Sequence, residues 1–120
     1  MDIGELLGKT MTKVEQVGDD WLEFCADDGS KYVLLHHSDC CEIVTIEDVI
    51  GNLSDLVGAP ILMAEEVVSA TNPEDIKKEY QESFTWTFYK FATVKGYVTV
   101  RWYGESNGYY SESVSFEKIK

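Results

Sequence analysis

The sequence predicts an α+β fold: a curved antiparallel β-sheet with one or two short helices from the central segment packed against it. Three observations carry that reading. Residues 83–94 (SFTWTFYKFATV), 97–103 and 110–119 alternate apolar and polar side chains with period two, the signature of half-buried strands. Asp28-Gly29, Lys95-Gly96 and Asn107-Gly108 sit between such runs, where glycine supplies the positive φ of a tight turn. Between them, Thr45-Ile46-Glu47-Asp48 has the form of a capping box ahead of Gly51, which predicts a short helix over 47–50.

The remaining elements follow in order. Asp2 can cap one helical turn within 2–8. Residues 11–17 and 21–26 read as strands joined at Gly18-Asp19-Asp20, and 31–37 as the partner of 21–26 across the Asp28-Gly29 turn. Residues 42–46 (EIVTI) continue as a short strand. Asn52 or Ser54 caps a further turn through Leu56, ended by Gly58, and 61–68 reads as a strand. Pro73 suits the first position of a helical turn within the charged stretch 71–80. In the last third, Val98, Val100 and Trp102 face the core. Phe84, Trp86 and Phe88 share one face and are expected to fill that core, and 83–119 is expected to form a three-strand meander. The 120 residues make a single domain, 1–120.

The charge of −12 is unevenly spread. From Tyr32 to Ile76 there is no Lys or Arg, while Asp39, Glu42, Glu47, Asp48, Asp55, Glu65 and Glu66 lie within that stretch. Phosphate backbones and anionic membranes are held by cations, so direct nucleic-acid binding and a membrane-surface role are disfavoured. Those seven acids are instead the candidate partner-binding residues, facing a basic protein surface. The longest uncharged apolar run, Val57 to Ala64, is far short of a bilayer span. The N-terminus lacks the apolar core of a signal peptide, and the host-cell cytoplasm is the expected location. Cys25, Cys40 and Cys41 are an odd set with two neighbours. Neighbouring Cα atoms sit too close for a relaxed bridge, so free thiols are expected.

His36-His37-Ser38-Asp39-Cys40-Cys41-Glu42 concentrates both histidines and two cysteines. His36, His37, Cys40 and Cys41 are metal-ligand types, but no second cluster or C-x₂-C pair accompanies them, and adjacent residues of a strand point apart. A cysteine nucleophile needs an electropositive setting, and this one is acidic. Glu47-Asp48 and Glu65-Glu66 are paired carboxylates without evident convergence. No phosphate loop or nucleophile elbow occurs. No catalytic residue and no cofactor is assigned. Tyr97, Arg101 and Tyr103 form a candidate ligand-contact face.

Residues 35–66 (LHHSDCCEIVTIEDVIGNLSDLVGAPILMAEE) resemble a family of uncharacterised small proteins of bacteriophages and prophages, through an HH-x-DCCE…IED…G…DL-x-G-x-PI-x-x-AEE pattern. The resemblance implies a phage or mobile-element origin. Proteins of that origin include inhibitors of host defence, an analogy of context and not of a site. The leading expectation is a non-enzymatic acidic binding protein, an anti-CRISPR-like inhibitor docking on a basic host protein. One alternative is a sponge for a nucleotide second messenger, using Arg101, Lys90 and Lys95 in a homo-oligomer. The other is a metal protein or hydrolase built on HHSDCCE.

Overall fold

The computed structural model describes residues 1–73 and 83–120. Among these residues, eight strands form two four-stranded sheets, antiparallel throughout. The first sheet has the order β1 (Met11–Val17), β2 (Trp21–Ala26), β3 (Lys31–Leu35), β8 (Ser115–Lys118). The second has the order β4 (Ile43–Ile50), β7 (Gly96–Ser106), β6 (Ser83–Thr93), β5 (Met63–Ser69). Among the described residues the only helical pieces are the 3₁₀ turns Ile3–Leu6 and Leu53–Leu56, capped by Asp2 and Asn52. The expected α+β class is therefore corrected: the protein is nearly all β, a two-sheet structure around one core. The charged stretch 71–80 lies mostly outside the described residues.

Alternation builds that core. Leu22, Phe24 and Leu34 of the first sheet meet Tyr89, Phe91, Val98, Val100 and Trp102 of the second, all almost fully buried. The Phe24 and Phe91 rings span the sheets with centroids 5.4 Å apart, inside the attractive range for aromatic pairs.

Three local expectations fail for identifiable reasons. The helix over 47–50 is strand instead. Ile43, Val44, Thr45, Ile46, Val49 and Ile50 are β-branched and favour the pleat, and β4 pairs with β7 along its length, with a bulge between Ile46 and Asp48. The final strand does not extend the meander, because β7 already has β4 and β6 on its two edges. The chain instead crosses through 107–114 to the free edge of β3, pairing Leu34 with Phe116. Finally, Val98, Val100 and Trp102 do face the core, but Phe84, Trp86 and Phe88 lie on the opposite face of the sheet, where Trp86 is nonetheless fully buried. Their neighbours Tyr89 and Phe91 point inward.

The sheets are joined at both ends. Residues 51–62 connect β4 to β5 and bind β1: the Gly58 N–H donates to the Met11 carbonyl, and the Ile61 N–H to that of Lys9, both at 2.9 Å. At the other end, the 36–42 and 107–114 crossings run side by side.

Gly104 marks how closely the second crossing packs on β7. A Cβ there would stand 2.7 Å from the Glu112 carbonyl oxygen and 2.9 Å from its Cβ. Gly104→Ala should therefore cost about 1–3 kcal/mol, read from urea unfolding. An unchanged midpoint would contradict this close approach.

Candidate functional site

The HHSDCCE segment leaves β3 and wraps around its own last residue. The Glu42 side chain is buried. Its Oε1 accepts the Asp39 N–H at 2.5 Å and the His36 Nε2 at 3.0 Å, and its Oε2 accepts the Cys40 N–H at 3.3 Å. The Asp39 N–H, aided by His36 and Cys40 against the opposing effect of burial, holds the Glu42 carboxyl down at about 2. His36 Nδ1 lies 2.6 Å from the Ser113 carbonyl oxygen. Both ring nitrogens thus face oxygen atoms, one on each crossing. The buried imidazole ties the first crossing to the second.

The other members of the motif diverge. His37 turns to the surface and pairs with Glu117 of β8. The bend at 40–41 puts both sulfurs on one side, and Cys40 and Cys41 are joined in a vicinal disulfide. This corrects the expectation of three free thiols; Cys25 alone is free. Among the described residues, no three His, Cys, Asp or Glu side chains converge in a geometry that could hold a metal ion. The motif's chemistry is spent on holding the loop.

Arg101, expected as a ligand contact, is buried at 6% exposure on the outer face of the second sheet. Its Nε donates to Glu47 Oε2 at 2.5 Å, an Nη sits 3.9 Å from Asp48, and the guanidinium lies 5.4 Å from the Trp86 ring centre. The bulge in β4 is what turns Glu47 towards this cation. Tyr103 is buried beside Trp86 and donates to Glu105 at 2.8 Å. Tyr97 is exposed at the far end of the strand. The three do not form one open face.

The seven expected partner-binding acids also separate. Glu42 is buried, and Asp55 is half-buried against the Gly96 turn. Asp39 is exposed on the first crossing. Glu65 and Glu66 lie on β5, and Glu47 and Asp48 on β4, the two outer strands of the same sheet, about 14 Å apart at roughly 4.8 Å per strand. Two residues that sequence reasoning missed join the β4 group. The Ile46 N–H donates to the Asp19 carbonyl oxygen at 2.5 Å, so the exposed Asp19-Asp20 turn of the first sheet abuts the Glu47-Asp48 bulge of the second. The turn itself was readable; its docking on β4, 27 residues away in the chain, was not. Exposed Ile43 and Ile50 flank this acidic edge.

These features define an acidic two-sheet β protein whose conspicuous motif holds a loop and whose exposed carboxylates include a group at the β4 edge. The chain belongs to the family described as a domain of unknown function (DUF7448), whose model matches residues 4–116, in keeping with the expected membership of an uncharacterised family. No curated protein and no solved structure shows significant similarity to it.

The Glu42 cradle makes stability depend on acid. Its folded carboxyl sits near 2 against an ordinary 4.5, so its contribution is complete above 4.5 and is lost as pH falls towards 2. Urea midpoints across that window should fall more steeply for the native protein than for Glu42→Gln, which cannot titrate. Parallel curves would contradict the cradle.

Proposed function

We propose that the protein is a non-enzymatic acidic binding protein that docks its β4 edge on a cationic surface of another protein. The single observation behind this reading is the Ile46–Asp19 backbone bond. It assembles Asp19, Asp20, Glu47 and Asp48 on one exposed edge, with Arg101 paired to Glu47 and near Asp48 and with Ile43 and Ile50 beside them as apolar contacts. Carboxylates of this kind steer a basic partner and speed association, while flanking apolar side chains supply contact area. The binding reading is also favoured over a hydrolase because His36 and Glu42 are bonded to each other and to backbone groups. It is favoured over a nucleotide sponge because the Arg101 guanidinium is already engaged by carboxylates and an indole ring. A phage or prophage setting, with a host defence protein as the target, belongs to the same proposal.

The test compares two variants with the same change in net charge. Asp19→Lys/Asp20→Lys alters the edge, whereas Glu5→Lys/Asp27→Lys alters exposed acids elsewhere. In affinity purification from host cells, the native chain and the second variant should retain the same stoichiometric partner, and the edge variant should lose it. Retention should also weaken with salt, as the Debye length falls from about 10 Å at 0.1 M to about 3 Å at 1 M. A partner held equally by both variants, or no partner at all, would overturn the proposal.

A further inference from the structure

Cys40 and Cys41 lie on the exposed part of the first crossing, and their sulfurs are covalently joined. The link closes a small ring over the planar peptide between them, which leaves the backbone of both residues little freedom. Both residues are exposed, so a thiol can reach the bond, and accessible disulfides are the labile ones. The free Cys25 differs on both counts: it is half-buried within β2 and has no sulfur partner.

The ring is built into the Glu42 cradle. The Asp39 N–H, just before it, donates to Glu42 Oε1 at 2.5 Å, and the Cys40 N–H, attached to it, donates to Oε2 at 3.3 Å. Glu42 follows directly after Cys41. Its carboxylate folds back across the ring to reach both N–H groups, so the ring sets how the chain turns between donor and acceptor. Glu42 passes that constraint inward. Its Oε1 also meets His36 Nε2 at 3.0 Å, and His36 Nδ1 meets the Ser113 carbonyl of the second crossing at 2.6 Å. A bond between two exposed sulfurs is thereby connected to the buried junction of the two crossings.

We infer that Cys40–Cys41 is a reversible redox switch, exchanging with a thiol–disulfide couple, whose reduction loosens the Glu42 cradle and with it the His36 tie between the crossings. A thiolate of the reductant attacks one cysteine sulfur, the Cys40–Cys41 bond breaks and a mixed disulfide forms. A second reductant thiol then displaces the protein sulfur. Two cysteine thiols and one reductant disulfide result, the two electrons and two protons coming from the two reductant thiols; the reverse exchange closes the pair again. Asp39 and Glu42 flank the pair with carboxylates, which disfavour a cysteine thiolate. The pair is therefore the target of exchange and not an attacking nucleophile. The inference does not use the β4 edge, and either can fail without the other.

Glutathione buffers test it on the whole chain. After acid quench and alkylation, mass analysis should find Cys40 and Cys41 unalkylated and free of glutathione in the oxidised buffer, and both alkylated in millimolar reduced glutathione. Transfer back to the oxidised buffer should close the pair again. Amide hydrogen exchange then reads the cradle. On reduction, the Asp39 and Cys40 N–H groups should exchange about tenfold faster, the size of returning backbone freedom to one residue, and the His36 ring resonances should move. The amides of Phe24 and Phe91, in core strands, should keep their rates. Cys40→Ser/Cys41→Ser should show the reduced behaviour in both buffers, and Cys25→Ser the native response. If the double variant does not fold, the native chain and Cys25→Ser decide. A pair that stays closed in reduced glutathione would overturn the switch. So would opening without faster exchange at Asp39 and Cys40, or reduction that speeds Phe24 and Phe91 equally.

Discussion

The fold depends on one junction: the place where the chain's two end crossings between sheets meet. The first, residues 36–42, carries the chain from β3 to β4, and the second, 107–114, returns it from β7 to β8. His36 sits between them, bonded to Glu42 on one side and to the Ser113 carbonyl on the other. Glu112, one residue earlier, is fastened to β6 and β7 through Thr85 and Ser106. With both edges of β7 filled, the chain must leave that sheet, and these anchors fix the path along which the second crossing delivers β8 to the edge of β3. A buried hydrogen-bonded pair of this kind ties the two crossings in one arrangement, and removing either partner would leave a buried polar group unsatisfied.

An excess of acid in so small a chain poses a problem of placement, which the fold solves by dividing its carboxylates into two classes. Glu42 and Glu112 are turned inward, and N–H and O–H donors stabilise their ionised carboxylates. Both are held below the ordinary carboxylate range. For Glu112, burial pushes upward, and the hydroxyls of Ser106, Ser83 and Thr85 outweigh it. Glu47 is paired with Arg101, and Asp28 is held low by the Ser30 hydroxyl and N–H in its turn. Asp19, Asp20 and Asp48 remain exposed at the β4 edge. An outer strand carrying charge and a bulge is also protected against unwanted sheet extension. The same residues that favour solubility there are therefore the ones a cationic partner would meet.

Much of the strand order along the chain was legible. The limits of 11–17 and 21–26 match, as do the turns at Gly18 and Gly29 and the caps Asp2 and Asn52. Each of these rests on local chemistry: alternation, a positive-φ glycine or an oxygen two residues from an N–H. The failures are all non-local. Thr45-Ile46-Glu47-Asp48 has local capping chemistry, but pairing with β7 and the β-branched run override it. Asn107-Gly108 does turn the chain, yet the edge a hairpin would use was already occupied by β4, a strand some sixty residues earlier. The phase of Phe84, Trp86 and Phe88 was correct, but alternation cannot say which phase faces the second sheet. Of the candidate site, the acids themselves were legible; their division between two sheet edges, and the partnership of Asp19 with Ile46, required the tertiary fold.

The architecture requires that the second crossing deliver the C-terminal strand to the first sheet. Cross-strand amide and Hα contacts by NMR test this directly. The expected result is a ladder joining 115–118 to 32–35, with the Phe116 ring against that of Tyr32 at 5.4 Å. A ladder joining 110–118 to 97–103 would place β8 beside β7 and contradict it.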